Sequence, residues 1–168
     1  MRRMAVWLAA LGVFLLDRLA KGLAVGGLAV GSTVPVLPGV LEWRLTHNAG
    51  VALGLLSGNT VAVLVLPIAL VLLGWAIFRR FRTTPFTRFA MALAAGGFAG
   101  NLLDRILQGY VVDMIYFPWM PWYICNPADI AICLGVALLA VSLIWRPQDW
   151  MRKSEAKTRE TDRTDRAD

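Results

Sequence analysis

The chain has 168 residues, 58% of them hydrophobic, with 17 Lys+Arg against 11 Asp+Glu and a mean hydropathy of +0.61. A soluble domain of this size is typically about half apolar, so apolar runs approaching 20 residues in length shift the class to integral membrane protein. The net charge of +6 does not make a nucleic-acid binder, because the basic residues cluster beside apolar runs rather than along a stripe interleaved with aromatics.

Residues 146–168 hold 7 of the basic and 6 of the acidic residues, so the C-terminus reads as a charged, near-balanced cytoplasmic tail, disordered beyond its first turn or two. Only five acids remain before it: Asp17, Glu42, Asp104, Asp113 and Asp129. Four of them lie in or at the edge of apolar spans, where ionisable groups are costly and mark function.

In chain order, Arg2 and Arg3 precede an apolar run that ends at Asp17, Arg18 and Lys21 with no convincing cleavage site, which predicts a retained first span over residues 4–23. Asp17 and Lys21 share a helix face at i, i+4, either as a snorkelling pair or as functional groups. Gly and Pro then break the helix, and VLEWRLTHN (residues 40–48) alternates as short strands do, so residues 28–58 read as an extracytoplasmic sheet with an interfacial segment. Residues 60–78 form a second span, with Pro67 tolerated inside a membrane bundle. A turn bearing Arg79, Arg80, Arg82 and Arg88 leads to a third span over 86–107, a loop rich in Trp, Tyr and Pro over 108–126, and a fourth span over 127–145. Cys125 and Cys133, read as lying on one helix, would be roughly 12 Å apart at about 1.5 Å rise per residue, beyond disulfide reach. No internal repeat or second domain is visible, so residues 1–145 read as a single membrane-embedded domain.

The positive-inside rule puts both termini and the 79–88 turn in the cytoplasm and the two cation-poor segments, 28–58 and 108–126, outside. The third span therefore ends outward near Asp113 and the fourth starts inward near Asp129, so the two carboxylates emerge at one outer interface, with Asp17 and Lys21 toward the same level. Two such aspartates share a proton near neutrality and suit water-mediated peptide hydrolysis without metal or covalent intermediate. Asn101, Asn126 and Arg105 stand ready to orient the pair or bind substrate backbone. Spacing alone leaves three readings open: an aspartyl hydrolase, structural ion pairs, and a small proton-coupled transporter with Asp17, Asp104, Asp113 and Asp129 as relay. The transporter would want acids spread through the bilayer depth. A Cys125/His47 nucleophilic pair is set aside, Cys125 being read as a small apolar filler and His47 as a strand residue, and one His with two distant Cys gives no metal-ligand spacing. Gly96, Gly97 and Gly100 read as close helix contacts. Trp119 and Trp122 are candidate rims of a substrate entrance.

TxNxG at Thr46–Gly50, GGxxGNxxDRxxxGxVVD from Gly96 to Asp113, NxAD at Asn126–Asp129 and DxxxK from Asp17 to Lys21 together resemble signal peptidase II, the lipoprotein signal peptidase (peptidase family A8). The resemblance covers about residues 10–135. It implies an integral membrane protein that is all-α but for a small extracytoplasmic β-cradle, with four transmembrane helices and an interfacial helix. It implies a catalytic dyad of Asp113 and Asp129, with Asn48, Gly50, Asn101, Asp104, Arg105 and Asn126 lining or supporting the site. Asp17 and Lys21 match positions of structural support or substrate handling. The implied activity is an aspartic endopeptidase of the bacterial inner membrane, inhibited by globomycin, that cuts diacylglyceryl-modified prolipoproteins just before the lipidated cysteine. Its partners would be those substrates and membrane lipid; it would need no cofactor, metal or nucleic acid and would act as a monomer. Met114, Leu53 and Cys125 stand where the family often carries Phe, at positions lining or abutting a lipid-facing pocket.

Overall fold

A computed structural model describes residues 3–50, 59–81 and 83–150. The expected interfacial segment, Leu53 and the tail beyond Trp150 lie outside the described residues. Four long helices carry the chain: α1 (Arg3–Gly27), α2 (Thr60–Phe78), α3 (Pro85–Gln108) and α4 (Pro127–Trp145). They fall within a few residues of the four predicted spans.

The helix starts follow from capping chemistry. Thr84 and Thr87 form a reciprocal capping box with Pro85 next in line, and Asn126 and Asp129 form another with Pro127. Side-chain oxygens thus satisfy amides left free in the first turn, and proline occupies the one position where its missing N–H is harmless. Helix α3 ends at Gly109, whose φ of 79° is the left-handed cap that glycine adopts without strain.

Helices α2 and α4 each contain a stretch apolar and long enough to cross a bilayer, Val61–Phe78 and Pro127–Trp145. Helices α1 and α3, at 25 and 24 residues, are long enough but carry charges. Asp17 and Lys21 of α1 and Asp104 of α3 turn inward, while Trp7, Leu8, Leu15, Leu19 and Leu23 of α1 face outward. Helix α3 packs against both α1 and α4 through small residues. A Cβ at Gly96 would run into the Ala10 carbonyl oxygen, one at Gly97 into that of Ala128, and one at Gly135 would lie 2.6 Å from that of Ala90. The glycine run does set close helix contacts, as its composition suggests, with Gly135 as a further member on α4.

At one end of the helices lies a four-stranded antiparallel sheet in the order β1 (Thr33–Leu37), β2 (Leu41–Asn48), β3 (Val111–Tyr116), β4 (Ile124–Cys125). The strand expected around residues 40–48 is β2. The 108–126 segment corrects the sequence reading: it is not simply a loop but supplies half the strands. Cys125 likewise sits in β4 rather than on a helix with Cys133, so the helical separation inferred for the two does not apply. Strand β3 is the buried centre, its Val112 and Met114 packing with Leu45 of β2 and Ala24 of α1. Met114 is therefore a core residue rather than a lipid-facing one.

The C-terminus adds a short turn that composition hides. A 3-10 turn at Pro147–Trp150 folds back so that Asp149 accepts from Ser142 Oγ at 2.8 Å and Arg146 Nε at 2.7 Å. Trp150 packs against Phe78 and Phe81, with ring centroids 5.3 and 5.7 Å away.

Candidate active site

Two carboxylates meet where the sheet joins the helices. Asp113 comes from β3, 1% exposed; Asp129 comes from the first turn of α4. Asparagine amides hold both. Asn126 Nδ2 donates to Asp113 Oδ1 at 2.6 Å, and Asn48 Nδ2 donates to Asp113 Oδ2 at 3.1 Å. Asn101 Nδ2 donates to Asp129 Oδ1 at 2.7 Å, and the Asn126 backbone N–H donates to Asp129 Oδ2 at 3.3 Å. Asn126 also donates to Asn101 Oδ1 at 3.2 Å and accepts from the Asp129 backbone N–H at 2.9 Å. The fully buried Asn126 thus touches every other member of the constellation except Asn48.

Register explains the meeting. Ile115 pairs with Cys125 across β3 and β4, so the residue after Cys125 arrives beside the strand that carries Asp113. On the other side Thr46 pairs with Asp113, which brings Asn48 of β2 within reach. Gly50 closes this corner. Its N–H donates to Asn48 Oδ1 at 2.9 Å, and its carbonyl accepts from Arg105 Nη2 at 2.9 Å. Arg105 does not touch either dyad carboxylate: its other donor reaches the Asn101 carbonyl at 3.2 Å. It anchors the chain after β2 to the backbone of α3.

Behind the amides stands a cluster of four charges. Lys21 Nζ donates to Asn101 Oδ1 at 2.8 Å and pairs with Asp17 at 3.0 Å and Asp104 at 2.8 Å. Asp17 and Lys21 are therefore no snorkelling pair; they are 0% and 3% exposed. Arg18, singled out by no motif, completes the cluster by pairing with Asp104 at 2.6 Å and Asp17 at 2.8 Å. Its signal in sequence was a third charge between Asp17 and Lys21, which reads as a span-end cation until the partner helix is known.

The two pairs of acids differ electrostatically. Asp17 and Asp104 face cations, whereas Asp113 and Asp129 are held by neutral amides and share Asn126 as a partner. Burial first, and the charge of Asp129 second, push the Asp113 carboxyl up to about 7, against the opposing pull of its Asn48 and Asn126 donors. Burial also lifts the Cys125 thiol to about 12, helped by Asp129 and Asp113; a thiol held neutral is a poor nucleophile. His47 is occupied elsewhere, stacked on Tyr110 with ring centroids 4.0 Å apart. Among the described residues no group of three or more His, Cys, Asp or Glu converges as a metal ligand set. Beside Asp129 opens an apolar groove of about 450 Å³, lined by Phe117, Tyr123, Cys125 and Leu134 among others. Trp119 and Trp122 are 63% and 70% exposed nearby in the chain.

The fold and this site define a membrane enzyme. Two solved structures, each described as a bacterial membrane enzyme, share the fold at TM-scores of 0.77 and 0.76. They are 28% and 27% identical, over 85% and 86% of this chain and 89% and 96% of theirs. The family model described as Signal peptidase (SPase) II matches residues 9–145, and the chain belongs to that family. A lipoprotein signal peptidase of Desulfitobacterium hafniense is 35% identical over 84% of this chain and 93% of its own length. One of Parasynechococcus marenigrum is 40% identical over 78% and 83% respectively. Membership carries protease activity in lipoprotein processing, as the sequence motifs imply.

Proposed function

We propose that this protein is an aspartic endopeptidase that removes the signal peptide from diacylglyceryl-modified prolipoproteins, cutting just before the lipidated cysteine. The carrying observation is that Asp113 and Asp129, alone among the acids at this end of the bundle, are held by amides instead of cations. Such a pair retains one proton near neutrality, and we place it on Asp113, whose carboxyl burial and the charge of Asp129 push up to about 7. Ionised Asp129 takes a proton from water as the oxygen attacks the scissile carbonyl, while Asp113 gives its proton to the carbonyl oxygen. The tetrahedral gem-diol collapses with cleavage of the C–N bond: the proton on Asp129 passes to the leaving amine, and Asp113 takes back a proton from a gem-diol hydroxyl, which leaves a carboxylic acid and restores the dyad. Asn126, Asn101 and Asn48 keep the carboxylates oriented through this cycle. The apolar groove beside Asp129 suits an acyl chain or the signal helix, both of which arrive laterally through the bilayer.

In this reading all four helices span the inner membrane and both termini are cytoplasmic, with one peptidase domain over residues 1–145 and the site near the outer leaflet. The burial of Asp17, Lys21 and Asp104 supports four spans, because α1 and α3 then keep these charges away from lipid. The enzyme acts as a monomer without cofactor and is sensitive to globomycin. The transporter alternative is disfavoured because Asp17 and Asp104 are tied to Arg18 and Lys21 and do not form a free relay. The test is cleavage of a lipidated precursor by purified Asp113→Asn and Asp129→Asn proteins. Both are expected to insert and fold yet leave the precursor uncut; near-wild-type processing by either removes the dyad assignment.

A further inference from the structure

We infer that Arg18 is a positioning residue for the dyad, acting through Asp17 and Asp104. The inference rests on the dyad reading above and adds a component that no motif assigns. Asp17 Oδ1 accepts from the Ala128 backbone N–H at 3.1 Å, and Asp104 Oδ2 accepts from the Val112 backbone N–H at 3.3 Å. Ala128 directly precedes Asp129, and Val112 directly precedes Asp113. Each buried rear carboxylate therefore grips the peptide unit one residue ahead of a dyad aspartate. The two grips come from different helices, α1 and α3, and nothing in the backbone ties them together.

Lys21 and Arg18 both tie the two grips together, Arg18 through a two-pronged fork. Nη1 binds Asp104 Oδ1 at 2.6 Å, and Nη2 binds Asp17 Oδ2 at 2.8 Å and the Gly100 carbonyl at 3.3 Å. Lys21 bridges the same two carboxylates through one ammonium, but the planar guanidinium adds a rigid fork that fixes their mutual orientation. Lys21 cannot substitute, because its three donors are already committed to Asp17, Asp104 and Asn101. Arg18 also balances the charge. With it, two acids face two bases; without it, the cluster carries one uncompensated buried carboxylate. That carboxylate then takes up a proton or turns toward water, and the backbone amide it held is released. The dyad aspartate behind that amide loses its fixed position. Substrate binding in the groove beside Asp129 is untouched, because Arg18 does not line it.

The test compares full-length wild type, Arg18→Gln, Arg18→Lys and Asp113→Asn in detergent, with a diacylglyceryl-modified precursor peptide as substrate and folded protein quantified by thermal unfolding. Arg18→Gln is expected to lower kcat on the order of 10–100-fold with KM within about twofold. Arg18→Lys, which restores charge but not the fork, is expected to recover part of that kcat. Asp113→Asn is expected to be inactive. An Arg18→Gln enzyme that loses only stability, with wild-type kcat per folded molecule, overturns the positioning role. Should Arg18→Gln not fold, Arg18→Lys carries the test, and wild-type kcat there overturns the role of the fork. An active Asp113→Asn enzyme overturns the dyad reading and this inference with it, whereas an inactive one beside an unimpaired Arg18 variant overturns this inference alone.

Discussion

Asn126 is the residue whose replacement most sharply separates structure from chemistry at this site. It caps α4 through its Oδ1 and holds Asp113 through its Nδ2, 2.6 Å from Oδ1. Asn126→Ala removes both. Loss of the Nδ2 donor leaves a buried Asp113 oxygen unpaired, which costs about 1–3 kcal/mol, and loss of an N-cap adds about 1 kcal/mol. Asn126→Ser keeps an oxygen that caps well but is too short to reach Asp113. It should therefore regain about 1 kcal/mol of stability relative to alanine and no activity. Removing the Nδ2 donor also favours the protonated form of Asp113 and leaves its carboxyl held by Asn48 alone, so kcat should fall roughly 100-fold in both variants. Thermal unfolding and single-turnover cleavage on the same preparations measure the two effects. If serine restored activity in step with stability, Asn126 would act only as a helix cap, and its placement in the catalytic constellation would be mistaken.

The remaining predictions address protonation, packing and the thiol. Asp113 titrates near 7, so kcat/KM should decline above that pH as the pair loses its shared proton. The Asn48 donor favours the charged form; Asn48→Ala should raise the Asp113 affinity for its proton and move the alkaline limb upward, and an unchanged or lowered limb in the pH–rate profile would contradict the role given to Asn48. Gly97→Ala should destabilise by about 1–3 kcal/mol, because the new Cβ meets the Ala128 carbonyl and Ile132 Cγ1, the latter at 3.0 Å. Gly22→Ala on α1, with nothing within 4 Å, should be neutral or stabilising by up to about 1 kcal/mol; equal melting shifts for the two would refute the packing account. Cys125→Ala should keep most of its activity in the precursor assay, and its inactivation would return the thiol to the mechanism.

The parts of this protein legible in sequence are those whose physical cost is local. An aspartate in hydrocarbon is anomalous whatever its neighbours, so Asp17, Asp104, Asp113 and Asp129 stand out at once, and apolar runs of 19 residues announce α2 and α4. The parts that were hidden depend on pairing. Strand β4 is two residues long and exists because β3 lies beside it; its Trp, Tyr and Pro surroundings suggest only an interfacial loop. Arg18 resembles a flanking cation until Asp104, 86 residues away, is brought against it. Arg105 stands one helical turn from Asn101, which suggested a shared task, yet its guanidinium turns to Gly50. Asp149 was absorbed into a charged tail, although its burial against Ser142 and Arg146 makes it part of the fold.

The sheet accounts for why a helical membrane protein can hold two carboxylates so firmly. Helix α3 ends at Gly109, and Asp113 must return, four residues later, to a group at the start of α4. A flexible connection would allow many positions for that side chain. Pairing with β2 on one side and β4 on the other leaves one, because a slip of a single residue would send Asp113 to the opposite face of the strand. The pairing itself accommodates the neighbouring strand through an irregularity between Trp43 and Thr46, beyond which Thr46 lies opposite Asp113. Asp129 needs no such device, since the capping box fixes it to the same asparagine that holds Asp113. One dyad member is thus placed by strand register and the other by helix capping, and Asn126 is where the two constraints meet. A substitution that disturbs either should act on both carboxylates together.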